Sequence, residues 1–148
     1  MTDTDDARKR YAEYIKLHLF DERYLSRERE KKILGEGVTR FEISLEEARS
    51  ILMNVAAEQD FIFEKDVDKL VKEIMQAFAA SDGHIGQSEF RHAVHIYKQL
   101  SSGHVGEGDA KRRLKQMMIE NDWKPRRQSF IVMANLGSRK WFRDIPEK

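Results

Sequence analysis

The sequence predicts an all-α fold: a compact bundle of about five to seven helices built from helix-turn-helix pairs. Three observations carry this. Apolar residues return at intervals of three and four through most of the chain. Proline is missing from the first 124 of the 148 residues, occurring only as Pro125 and Pro146. The periodic segments are separated by short glycine-bearing breaks at Gly35–Gly37, Asp82–Gly83 and Gly103–Gly108.

The elements follow in order. Asp5 to Phe20 reads as a first helix with a broad apolar face of Tyr11, Tyr14, Ile15, Leu17, His18 and Leu19. Its acidic start suits the positive end of the helix dipole. Asp21 to Leu34 reads as a second helix or a continuation of the first, anchored by Tyr24, Leu25, Ile33 and Leu34 and stopped by Gly35-Glu36-Gly37. The alternation over Val38–Ile43 predicts a short strand or extended connector. Ser44 and Glu47 then have the spacing of a capping box, which opens a helix carrying Leu45, Ala48, Ile51, Leu52, Val55 and Ala56. Phe61-Ile62-Phe63 forms an apolar corner. Asp66–Ala80 is a fourth helix with Val67, Leu70, Val71, Ile74, Met75 and Phe78 inward. Ser88–Leu100 and Asp109–Asn121 are the fifth and sixth. The core expected from this pattern is Ile51, Leu52, Val55, Leu70, Ile74, Phe78, Phe90, Val94, Tyr97 and Leu114. After Pro125 the periodicity lapses, although Phe130–Met133 and Trp141-Phe142 remain apolar. This divides the chain into a helical domain, 1–122, and a basic, aromatic C-terminal tail, 123–148, docking on it.

Short stretches repeat. Gly83–Phe90 resembles Gly103–Ala110, and Ile43–Ala48 aligns with Ile85–Phe90. Each marks a helix start after a tight turn and uses the same turn chemistry.

Composition narrows the function. There is no cysteine, so disulfides, thiol nucleophiles and thiolate metal sites are excluded. The charged N-terminus has no apolar signal-peptide core, and no run of about 18 apolar residues occurs. The expected location is the cytoplasm. The formal charge of +1 conceals an imbalance: Lys111–Lys148 carries 11 Lys/Arg against 4 Asp/Glu, a net of +7, which leaves −6 on the rest. A basic tail on an acidic body suits an acidic partner surface, protein or nucleic acid. In that tail Trp123, Lys124, Arg126, Arg127, Arg139, Lys140, Trp141 and Arg143 interleave cations with aromatics. Trp and Arg are the residues enriched in protein-binding hot spots. The same mixture, over residues 111–148, also suits phosphates and stacked bases. The alternative for the aromatics is that they pin the tail to its own core.

No Gly-x-Ser-x-Gly elbow and no phosphate-cradling Gly-x-x-x-x-Gly-Lys loop is found, and the carboxylates fall on charged helices, so no catalytic residue is assigned. Asp82-Gly83-x-Ile85-x-x-x-Glu89 has the spacing of the second half of an EF-hand calcium loop, with Gly83 at the sharp turn and Glu89 as the last ligand. The earlier ligand positions fall on Phe78 and Ala80, which have no side-chain oxygen. The candidate ligands for a divalent metal are therefore Asp82, His84 and Glu89. His92 and His95, three apart on one helix, match no ligand signature.

Ala79-Ala80-Ser81-Asp82-Gly83-His84-Ile85-Gly86-Gln87-Ser88-Glu89-Phe90 resembles the signature turn of TerB-like (tellurite-resistance B) domains. The shared features are an alanine-rich helix end, Asp-Gly, an aliphatic residue two positions later and a glutamate opening the next helix. The resemblance covers Ser44–Leu100. It implies an all-α fold of pseudo-repeated helix pairs, a bacterial cytoplasmic setting, association with stress- or membrane-linked multiprotein systems and a metal-related acidic site at Asp82 and Glu89. The expected function is a non-enzymatic interaction or adaptor module. The alternatives are a metal-responsive regulator and a nucleic-acid-binding protein acting through the tail.

Overall fold

The structure, a computed structural model, describes residues 3–127 and 139–147. Among them are seven helices and four two-residue strands: α1 (Asp3–His18), β1 (Tyr24–Leu25), α2 (Arg27–Thr39), α3 (Leu45–Gln59), β2 (Ile62–Phe63), α4 (Glu64–Ala79), β3 (His84–Ile85), α5 (Gln87–Leu100), α6 (Glu107–Glu120), β4 (Lys124–Pro125) and α7 (Lys140–Arg143). The fold class is all-α, as the periodicity predicts. No helix among the described residues is long and apolar enough to cross a membrane.

The chain divides into two compact units, 1–66 and 67–148. The described parts of the expected tail, residues 123–127 and 139–147, fall in the second unit. Each unit has one plan: helix, short strand, helix, helix, short strand, with the two strands paired in parallel. In the first unit Tyr24 lies beside Ile62 and Leu25 beside Phe63. In the second, His84 lies beside Lys124 and Ile85 beside Pro125.

In the first unit the core contains Tyr11, Ile15, Leu19, Leu25, Ile33 and Leu52. In the second, Val71, Met75, Ile85, Ala93, Leu114 and Met118 are all buried. The two sets correspond at constant spacing. Ala7, Tyr11, Ile15, Leu19, Leu25 and Ile33 match Val67, Val71, Met75, Ala79, Ile85 and Ala93. After a longer α5–α6 connection, Ile43, Ala48, Leu52 and Val55 match Val105, Ala110, Leu114 and Met117. Asp60 and Asp122, with φ of 55° and 56°, end α3 and α6 in the same left-handed turn. The repeat therefore pairs Ile43–Ala48 with Val105–Ala110, and Leu25-Ser26 with Ile85-Gly86. These differ from the pairings expected from sequence, which joined stretches by the look of a turn before a helix, such as Gly83-His84-Ile85-Gly86 and Gly103-His104-Val105-Gly106.

Several other expectations change. Tyr24 and Leu25 are strand residues, because Ser26 caps α2 by accepting from the Arg29 amide at 3.2 Å and so starts the helix after them. Gly35 and Gly37 lie inside α2 and do not stop it. Gly37 is there for space: a Cβ would sit 2.8 Å from Tyr11 Cζ and 3.1 Å from Ala48 Cβ. Val38–Ile43 contains no strand; α2 runs to Thr39, and Glu42 turns the chain with φ 53°. Ser44 does cap α3, accepting from the Glu47 amide, but Glu47 sends its carboxylate to Arg8 at 2.8 Å, so only half of the capping box forms. In α4 the inward stripe is Val67, Val71 and Met75, while Leu70 is exposed and Ile74 and Phe78 are half-buried. Ile51 is likewise half-buried. Phe130–Met133 lie outside the described residues.

Two outcomes follow. Gly37→Ala forces a methyl group against the Tyr11 ring. Overpacking outweighs the gain in helix propensity, and urea denaturation should show a loss of about 1–2 kcal/mol. In a Tyr11→Val background the same change should cost less. Burial, aided by Tyr14, pushes the Tyr11 phenol up to about 12 from 10.0. A group whose folded pKa is raised contributes stability that is complete below its unfolded value and is lost as pH rises through the folded value. Stability should therefore fall between about pH 10 and 12, and fall less in Tyr11→Phe.

Candidate functional site

The Asp82 turn is built from its own hydrogen bonds. Gly83, with φ 74°, makes the sharp bend, and the Asp82 carboxylate accepts from the His84 amide at 3.0 Å. Arg126 closes on the same carboxylate at 3.2 Å. His84 Nδ1 lies 2.9 Å from the Asp82 carbonyl. Glu89 turns away and accepts from the Gly86 amide at 2.9 Å, holding the α5 N-terminus. The three candidate metal ligands thus share a turn but not a focus. A cation at Asp82 would have to displace a guanidinium. Among the described residues no group of three or more His, Asp or Glu is arranged to hold a metal ion.

The tail residues are partly spent within the second unit. Pro125 is buried in the ribbon, and Lys124 pairs with Asp122 at 2.8 Å, holding the Asp122 carboxyl below its usual range. Trp123 is half-buried, with its amide donating to the Met118 carbonyl at 2.9 Å. Trp141 packs on Phe90 with ring centroids 5.3 Å apart, and its indole N–H donates to the Arg126 carbonyl at 3.2 Å. The buried Lys115 ammonium donates to the Ile145 carbonyl at 2.7 Å and lies 5.0 Å from the Phe142 ring centroid. These contacts pin Lys140–Ile145 to the α5 and α6 helices. Arg127, Lys140 and Arg143 keep their side chains exposed, and Arg139 is half-buried.

A second surface, on the first unit, was not marked by the sequence. Tyr14 stands at its centre, half-buried, with Phe41 at 5.3 Å and His18 at 4.0 Å between ring centroids. The Arg40 guanidinium lies over both rings, 5.4 Å from Tyr14 and 5.5 Å from Phe41. Burial and the Glu36 carboxylate raise the Tyr14 phenol, against the pull of Arg40. On one side of Tyr14 and His18 is a groove of about 520 Å³ edged by Lys9, Arg10, Leu17 and Phe41. On the other is one of about 420 Å³ edged by Ser26, Arg29, Lys32 and Ile33. Leu17 is 76% exposed and Phe20 82%. Leu17 was expected to face inward. The signal against that lay in the breadth of the apolar arc: the buried stripe Ala7, Tyr11, Ile15, Leu19 steps by four, and Leu17 falls off it.

Compared with protein-family models, with curated proteins and with solved structures, the chain matches none.

The tail contact has a measurable consequence. Lys115→Met removes a charge-assisted hydrogen bond and leaves the Ile145 carbonyl without that donor. It should cost about 1.5–3 kcal/mol and raise amide exchange across Lys140–Ile145. Trp141→Ala should raise exchange over the same residues.

Proposed function

We propose that the chain is a non-enzymatic protein-interaction module, an adaptor that receives its partner on the Tyr14 surface and uses the exposed cations of the tail as a second docking element. The observation that carries this reading is the exposure of Leu17, 76%, on the edge of a groove walled by Tyr14 and His18, with Phe20, 82% exposed, three residues further on. Large apolar side chains left in water next to a concave aromatic surface mark association sites. The TerB-like turn at Asp82–Glu89 supports a place in a bacterial cytoplasmic multiprotein system. Base stacking by the tail has less support, because Trp141 is held against Phe90. The Asp82 turn gives a metal-responsive role little support, because its carboxylates serve Arg126 and the α5 N-terminus.

A nuclease-treated pull-down from host lysate tests the proposal with the full chain, Leu17→Ser/Phe20→Ser and Arg127→Glu/Arg143→Glu. Proteins captured by the full chain should be lost with the first variant and weakened with the second. Capture unchanged in both would overturn it.

A further inference from the structure

The Tyr14 surface has a charge pattern that names the chemistry of what covers it. The two grooves share Tyr14 and His18, and their rims carry Lys9, Arg10, Arg40, Arg29 and Lys32 against Glu13 and Glu28. Some of these cations are already engaged. Arg10 pairs with Asp6, Arg29 with Glu22, and Arg40 lies 4.0 Å from Glu36. Lys9 and Lys32 have no ion-pair partner among the described residues and are exposed. They stand on α1 and α2, at the rims of the two different grooves. Tyr14 and His18 line both grooves, Leu17 edges the first, and Phe20 follows just past the end of α1.

From this arrangement we infer that the surface binds an acidic peptide segment, in which an aliphatic or aromatic anchor seats beside Tyr14 and Leu17 and flanking carboxylates reach Lys9 and Lys32. Rim charges of one sign attract and orient a partner of the other, while the buried anchor holds it. Leu17, an aliphatic side chain with no ring for a base to stack on, favours a peptide anchor over a nucleic acid. Glu13 and Glu28 would also repel a continuous run of phosphates. The inference rests on the reading of the chain as an interaction module and adds the identity of the ligand class.

The test is selection from a phage-displayed library of random peptides on the immobilised full chain, followed by titration of the enriched peptides labelled with fluorescein. Enriched sequences should carry Asp and Glu around a Leu, Ile, Phe or Trp. Lys9→Glu/Lys32→Glu should weaken them by about tenfold or more, and Glu13→Lys/Glu28→Lys should strengthen them. Raising the salt should weaken binding to the native chain more than to the Lys9/Lys32 variant. All four positions are on the rim, so circular dichroism melts should stay close to those of the native chain. Enrichment of neutral or basic sequences, or acidic sequences indifferent to both charge reversals, overturns the inference. So does an empty selection, or binding to phosphatidylserine vesicles or single-stranded DNA in place of peptide. If the lysate capture is still lost with Leu17→Ser/Phe20→Ser, the interaction module stands and only the acidic partner falls.

Discussion

Each unit depends on a parallel ribbon only two residues long. A ribbon of that size has no stability of its own. It persists because its inward side chains are core residues: Leu25 and Phe63 in one unit, Ile85 and Pro125 in the other. The hydrogen bonds fall at equivalent places. The Ile62 amide donates to the Arg23 carbonyl at 2.6 Å, and the Lys124 amide to the Gly83 carbonyl at 2.8 Å. In the second unit the Arg126 amide completes the pairing on Ile85. The parallel register uses the amides on either side of position 125 and none at it. That is why a proline, which lacks the donor, can occupy a strand here. The helix starts are tied to the same feature. Glu64, directly after β2, accepts from the Arg27 amide at 2.8 Å and so holds the first turn of α2.

Within that frame the two units pack in complementary ways. In the first, Tyr11 of α1 fills the space that Gly37 of α2 leaves open, and its hydroxyl donates to the Ile33 carbonyl at 2.9 Å. In the second, the equivalents are Val71 of α4 and Tyr97 of α5, and the Tyr97 hydroxyl donates back to Asp68 of α4 at 2.7 Å. The large residue has changed helices. Each helix pair still has one buried tyrosine whose oxygen is satisfied by the facing helix, as a buried hydroxyl requires. The glycine that looks like a helix stop in sequence is half of this exchange.

This explains what the sequence could and could not reveal. Helical periodicity exposed the class and most helix positions, because Leu52, Val55, Val94, Tyr97 and Leu114 lie on regular stripes. The duplication stayed hidden because the repeat conserves volume across a contact and not identity at a position. Tyr11 and Gly37 stand against Val71 and Tyr97. Buried Glu30, paired with Lys65 at 2.9 Å, stands against Phe90, which is covered by Trp141. The strands escaped because two residues are too few for an alternation. The Tyr14 surface escaped because Arg40 and Phe41 belong to an irregular turn, whose fold alone brings them over a ring on α1. The tail aromatics were visible as a composition, but only contacts separate Trp141, which is docked, from Arg127, which is exposed.

The duplication also shows which surface is particular to one unit. The groove residues Tyr14, Leu17 and His18 of α1 correspond to Ile74, Ala77 and Phe78 of α4, and Arg40 and Phe41 correspond to Leu100 and Ser101. The Tyr14, Phe41 and Arg40 cluster therefore has no counterpart at the matching positions. Conversely, the position of Lys115, which holds the tail, is taken in the first unit by Met53, 62% exposed. Burial is kept at matching positions even where size is not, as with Gly37 and Tyr97 or Glu30 and Phe90, while several outward positions have changed in kind. In the first unit Leu17 is left 76% exposed on the edge of the groove that Tyr14 lines. The two units thus differ both in how their cores exchange volume across a helix contact and in the side chains their outer faces carry.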